Sequence, residues 1–185
     1  MSDRERDNAT EAAHSSPEVS SGQELWSEGA LFHKFRRYSR NLQHGTVDRL
    51  VEVLSRGLLA PAHDTTGRVF SDTHITVEGS DVPYDSVIFL HKYDPRVSFL
   101  YSIISPESIC VFLKPDVPVL TSEHMGGGWP VVSQSEVYSL QPIPPQMIRA
   151  VIMPDAEALN IDDEIQRKLA SLSIPLFGTD GSRYC

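Results

Sequence analysis

Thr46-Val47-Asp48-Arg49-Leu50-Val51-Glu52-Val53-Leu54-Ser55-Arg56-Gly57-Leu58-Leu59-Ala60-Pro61 is the clearest helical stretch of the chain. Val47, Leu50, Val51, Leu54 and Leu58 recur at helical spacing, Thr46 is placed to cap the start, Gly57 sits where a C′ glycine ends a helix, and Pro61 follows. Downstream the period falls to two or gives way to short apolar runs. Arg68–Phe70, Ile75–Val77, Ser86–Leu90, Ile109–Leu113, Glu136–Leu140 and Ile148–Met153 are all bounded by turn residues and read as strands. Gly126-Gly127-Gly128 with Trp129-Pro130 reads as a loop, and Asp162–Leu172 returns to helical spacing at Ile165, Leu169 and Leu172. One early helix, a run of strands and a late helix predict an α+β domain with a mostly mixed or antiparallel sheet. Alternating βαβ units with a glycine-rich phosphate turn are absent, which argues against a dinucleotide fold of the Rossmann type.

Upstream of the helix, Glu24–Ser39 interleaves Leu25, Trp26, Leu31, Phe32 and Phe35 with charges and suits either an amphipathic helix or a strand. Residues 1–22 are polar and almost empty of large apolar side chains, so burial there cannot offset ordering entropy, and a disordered acidic tail is expected. The remainder reads as one domain over 23–177 with a flexible end at 178–185. With 185 residues and 40% hydrophobic content, a single core suffices. No apolar run approaches the roughly 20 residues of a membrane span, and the N-terminus lacks an apolar signal core, so a soluble, cytoplasmic protein with no membrane partner is expected.

The formal charge of −9 argues against a surface that is electropositive throughout. Six acidic residues against Arg4 and Arg6 in the first 24 positions account for four of those nine charges. Lys34, Arg36, Arg37 and Arg40 meanwhile cluster into a local basic strip suited to a phosphate backbone. Cys110 and Cys185 have no spacing for a disulfide framework or a metal site, and the histidines lack ligand-like spacing with acids or cysteines, so no metal is expected.

Three stretches carry candidate chemistry. In Leu42-Gln43-His44-Gly45-Thr46, an imidazole precedes a helix whose N-terminal amides favour phosphate; a surface His beside a capping Thr is the plainer reading. In His91-Lys92-Tyr93-Asp94-Pro95-Arg96-Val97-Ser98-Phe99-Leu100-Tyr101, a strand breaks at proline before a guanidinium that can grip phosphate and a phenol that can stack on a flat ring; Phe99 and Tyr101 suit a core equally well. In Gln134-Ser135-Glu136-Val137-Tyr138, a carboxylate opens a strand after a glycine loop, at an element edge where it can face a cleft. Such a group stabilises positive charge developing on a sugar when a glycosidic bond breaks, although most glutamates so placed are merely solvated.

Taken in order, the three stretches resemble the ADP-ribosyltransferase superfamily, and most closely the DarT-type nucleic-acid ADP-ribosyltransferases. His44, Thr46 and Gly57-Leu58-Leu59 are similar to that group's opening His and Thr and the turn that ends its first helix. Pro95-Arg96 with Phe99-Leu100-Tyr101, and Glu136-Val137 through Ile143-Pro144-Pro145-Gln146-Met147-Ile148, are similar to its later segments. The resemblance implies a split two-sheet fold with flanking helices and NAD+ as co-substrate in the cleft, with no metal. It implies that His44, Thr46 and Tyr101 bind the cofactor, Arg96 and Glu136 are catalytic, and Gln134 with Lys34, Arg36 and Arg37 meets the acceptor. A toxin-like transferase of this kind would modify a macromolecule, whether DNA, RNA or protein, and be countered by an antagonist that removes ADP-ribose. Two alternatives use the same scaffold. An RNA 2′-phosphotransferase would lean on phosphate-gripping Arg and His groups, and an inactive binding module would retain the fold alone.

Overall fold

A computed structural model describes residues 19–35, 46–60, 74–83, 86–96, 109–121, 124 and 136–185. Among the described residues there are eight strands and three α-helical segments. They are β1 (Leu31–Phe35), α1 (Thr46–Arg56), β2 (His74–Val77), β3 (Ser80–Pro83), β4 (Ile88–Lys92), β5 (Ile109–Leu113), β6 (Glu136–Ser139), β7 (Ile148–Met153), α2 (Asp155–Leu159), α3 (Asp163–Ser171) and β8 (Leu176–Gly178). The protein is an α+β structure in which helices pack on one face of a largely antiparallel sheet.

The sheet is six-stranded, in the order β6-β4-β1-β5-β7-β8, and only the β7–β8 pair is parallel. β2 and β3 form a separate two-stranded ribbon, so the two sheets are very unequal. β5 and β7 lie inside the main sheet and are buried almost throughout, which is why their sequences are apolar apart from Arg149 in β7. The sheet has an internal parting. β1 pairs with β4 only at Leu31↔Lys92 and Phe32↔His91, whereas Phe32–Phe35 stays in register with β5 and Ile88–His91 with β6.

On the helical face, Leu50, Val53 and Leu54 of α1 and Ile165 and Leu169 of α3 pack over Leu31, Leu90, Val111, Val137 and Val151. Asp162 caps α3 by accepting from the Glu164 N–H at 2.7 Å. Gly57 ends α1 at φ 83°, and a Cβ there would run into the Ile143 carbonyl oxygen, so both backbone conformation and close approach demand glycine. Leu58 and Ile143 then exchange backbone hydrogen bonds at 2.9 and 3.0 Å.

The opposite face carries two apolar covers. Trp26 sets its ring edge-on to Phe32 and Phe112, with centroids 5.4 and 4.7 Å away, and closes a cluster with Val19, Leu25, Tyr93 and Phe177. Val77 of the ribbon, with Val87, covers Tyr138 and Phe89.

Both ends of the chain depart from expectation. Residues 1–18 lie outside the described residues, but Val19 is buried, Ser20 is hydrogen-bonded to Glu24, and the Gly22 N–H donates to the Gly181 carbonyl at 3.1 Å. Residues 19–22, within the stretch expected to be tail, are held by these contacts, and Val19 and Leu25 reach the apolar face of the sheet. Residues 178–185, expected to be flexible, fold back on β8: Tyr184 N–H donates to Leu176 O at 2.8 Å, and Leu176 N–H to Cys185 O at 3.0 Å. The free edge of β8 supplies partners that composition does not reveal. Glu24–Ser39 resolves into a 3-10 turn at Gly22–Leu25 followed by β1. Arg68–Phe70 and the Gly126–Pro130 loop lie outside the described residues.

Candidate functional site

Register fixes what the β4–β6 seam presents. His91 is directly opposite Glu136, Leu90 opposite Val137 and Phe89 opposite Tyr138. Because side chains alternate along a strand, Glu136, His91, Phe89 and Tyr138 share the face away from the helices, while Val137 and Leu90 enter the helical core. One row of partners crosses the sheet as Glu136–His91–Phe32–Phe112–Ala150. From Phe32 onward it is wholly buried and apolar; its β4–β6 end carries a carboxylate and an imidazole, each half-buried.

Glu136 opens β6 at the edge of the sheet. Its Oε2 is buried and has no hydrogen-bond partner among the described residues. Burial pushes its carboxyl above the usual carboxylate range, offset in part by a hydrogen bond involving Tyr138. A buried carboxylate oxygen without a donor is costly to the fold, so its presence at a strand edge calls for a functional explanation. The His91 ring lies against Phe32 with centroids 5.2 Å apart and planes 31° apart, which restricts its orientation.

Arg96 follows the end of β4, at the same end of the sheet where β6 begins. Its guanidinium donates from both Nε and Nη2 to the Asp94 carboxylate at 2.9 Å, and Glu28 stands 3.6 Å from Nη2. Those acids raise its pKa, the Asp94 hydrogen bond foremost, and the side chain is 78% exposed. Lys34 lies half-buried opposite Cys110 in β5, on the same face as Glu136. Cys110 is buried, and burial pushes its thiol up to about 12, which makes it an inert packing residue.

Of the other residues singled out from sequence, His44, Tyr101, Gln134, Arg36 and Arg37 lie outside the described residues. Thr46 is the first residue of α1.

A second feature lies on the helical face, where β1 and β4 part. A solvent-open cleft is lined by His33, Arg49, Glu52, Arg56, Leu58 and Ile88, and Glu136 is not among its lining residues. His33 spans the parting, its Nδ1–H donating to the Phe89 carbonyl at 2.9 Å. Burial lowers its pKa to about 4, with the charges of Arg49 and His91 acting in the same direction against the Phe89 hydrogen bond, so the imidazole is neutral near pH 7. Neutral with Nδ1 protonated, it carries its lone pair on Nε2.

Sequence reading gave no role to His91 or His33. The local signal for His91 was its place two residues after Phe89 in an alternating strand, which sets it on the same face as an aromatic. Its partner lies 45 positions further along the chain and only sheet register brings them together. Among the described residues no group of three or more His, Cys, Asp or Glu side chains could hold a metal ion, and no helix is long and apolar enough to cross a membrane. No protein-family model matches the chain, and no curated protein matches it.

Proposed function

We propose that the protein transfers ADP-ribose from NAD+ to a macromolecular acceptor, with Glu136 as the catalytic carboxylate. The observation that carries this reading is the half-buried carboxylate at the start of an edge strand, with one buried oxygen unpartnered among the described residues. Such an oxygen suits a ribose hydroxyl, whose O–H would supply the missing donor. As the nicotinamide leaves with the bonding electron pair, positive charge develops on the sugar, and a fixed anion in a partly desolvated setting stabilises it. The acceptor then forms the new bond to the sugar and gives up its proton.

Two further features support the reading. Arg96 stands at the same end of the sheet as Glu136, with its guanidinium held in place by Asp94. The parting of β1 from β4 at His33 supports a split-sheet arrangement of the kind the sequence resemblance implies. His44, Thr46 and Tyr101 would hold NAD+, and Gln134 with the Lys34–Arg37 strip would meet the acceptor.

Incubating the full chain with NAD+ labelled in its adenylate half, in the presence of DNA, RNA or protein, tests the reading. Label carried into one acceptor class, and its loss in Glu136→Gln, is the expected result; no transfer to any of the three overturns it. The alternative of an RNA 2′-phosphotransferase is favoured by one observation, the pair of guanidinium-bearing residues Arg49 and Arg56 beside His33 in the cleft. It predicts loss of a 2′-phosphate from RNA that persists in Glu136→Gln.

A further inference from the structure

We propose that His91 is a positioning residue for Glu136, the two forming a charge pair across the β4–β6 seam that keeps the carboxylate ionised. The pairing stands on the sheet register, and its bearing on transfer rests on the reading above. The two residues are directly opposed on the same face, which places their Cβ atoms about 4.5–5.5 Å apart. At that spacing an imidazolium and a carboxylate are within reach of a hydrogen bond through side-chain rotation. Glu136 brings an oxygen that needs a donor. His91 brings a ring already steadied against Phe32, so little further ordering is required to form the pair.

The other charged and titratable groups around the seam fit this assignment less well. Arg96 and Asp94 lie beyond the end of β4 and are engaged with each other. Lys34 lies on β1, on the far side of β4 from Glu136. Tyr138, two positions along β6, shares a side-chain hydrogen bond with Glu136 and brings a phenol in place of a cation, and Tyr93 lies after the end of β4. His33 on β1 is neutral there as well, and Arg49 of α1 faces it on the opposite side of the sheet. His91 is thus the cation source that register brings nearest to Glu136, and an imidazolium there would add to the hydrogen bond involving Tyr138 in opposing the effect of burial on that carboxylate.

The consequences run in both directions. Removing the carboxylate lowers the midpoint at which His91 loses its proton, and removing the imidazole raises the midpoint at which Glu136 gains one. Proton NMR titration of the histidine ring resonances in the full chain reads the first effect directly, with His91→Gln identifying the signal by its disappearance. In Glu136→Gln the His91 midpoint is expected to fall by about one pH unit while the other imidazoles stay in place. An unmoved His91 midpoint overturns the pair, and this arm needs no enzymatic activity.

The second arm follows nicotinamide release from NAD+ against pH. His91→Gln should move the acid limb up by about one unit, and His91→Lys, which restores a cation, should return it toward the wild-type position. An acid limb unchanged in His91→Gln overturns the role of His91 in transfer. If the NMR shift appears but the wild-type chain releases no nicotinamide, the charge pair stands and the ADP-ribosyl reading falls.

Discussion

The row of side chains that crosses the sheet through Phe32 has two unlike ends. Toward β7 it runs through Phe112 to Ala150, each buried and packed on both sides. Toward β6 it runs through His91 to Glu136, each half-buried, with a carboxylate oxygen left unpartnered among the described residues. The same sheet, at the same register, provides a rigid apolar platform at one end and an incompletely satisfied polar pair at the other. If the polar end carries the proposed chemistry, substitutions at the two ends of the row should affect different measurements.

The largest expected contrast tests that separation. Phe112→Ala should lower the unfolding free energy by about 3–5 kcal/mol, read by denaturant titration, because it empties a packed aromatic site. Glu136→Gln should leave stability unchanged or slightly raised. Its carboxyl has a raised folded-state pKa, so the folded protein binds a proton more readily than the unfolded chain, and stability falls as pH rises past the ordinary carboxylate value. The amide removes that loss. Equal destabilisation by the two substitutions would break the comparison.

Gly57→Ala comes next. The positive φ and the Ile143 carbonyl in its path should together lower stability by more than about 2 kcal/mol, measured as a drop in urea midpoint. The same change at Gly79 meets no neighbouring atom, so only the backbone strain remains, and it should cost about half as much. A comparable drop at both sites would show that the contact between the end of α1 and Ile143 contributes little.

How far the sequence discloses the molecule follows the same division. Ile109–Leu113 and Ile148–Met153 are strands with the bounds read from sequence, since a strand buried on both faces is apolar almost throughout, Arg149 being the one exception in these two. α1 was visible because its apolar stripe, Gly57 and Pro61 agree. Less was legible where partners are remote. β3 and β8 are short, and the hydrogen-bonding partners of these two and of β1 decide them more than their composition does. Glu136 could be recognised as a strand-edge carboxylate, but its apposition to His91 is a product of register that no local pattern encodes. The ends of the chain looked polar because a few anchors, Val19, Leu25 and Tyr184 among them, suffice to dock a polar segment.

Two smaller effects sharpen the account. Deleting residues 1–22 should lower stability by about 2 kcal/mol through loss of the buried Val19 and the Gly22–Gly181 hydrogen bond. An unchanged urea midpoint would show that these contacts contribute little. His33 contributes a pH dependence. Its folded-state pKa of about 4 lies below the unfolded value near 6.5, so the unfolded chain binds the extra proton between those limits and stability declines as pH falls through that window. With its partial exposure taken into account, the loss should be on the order of 1 kcal/mol, and His33→Gln should flatten the profile between pH 6.5 and 4.

The central claim is that the polar end of the row is a reactive site and not an incidental gap in packing. The most direct measurement is the rate of nicotinamide release from NAD+ by the wild-type chain and by Glu136→Gln, at equal folded fraction by circular dichroism. Measurable release by the wild type and a fall on the order of a hundredfold or more in the variant are the expected result. Equal rates in the two proteins would contradict that claim.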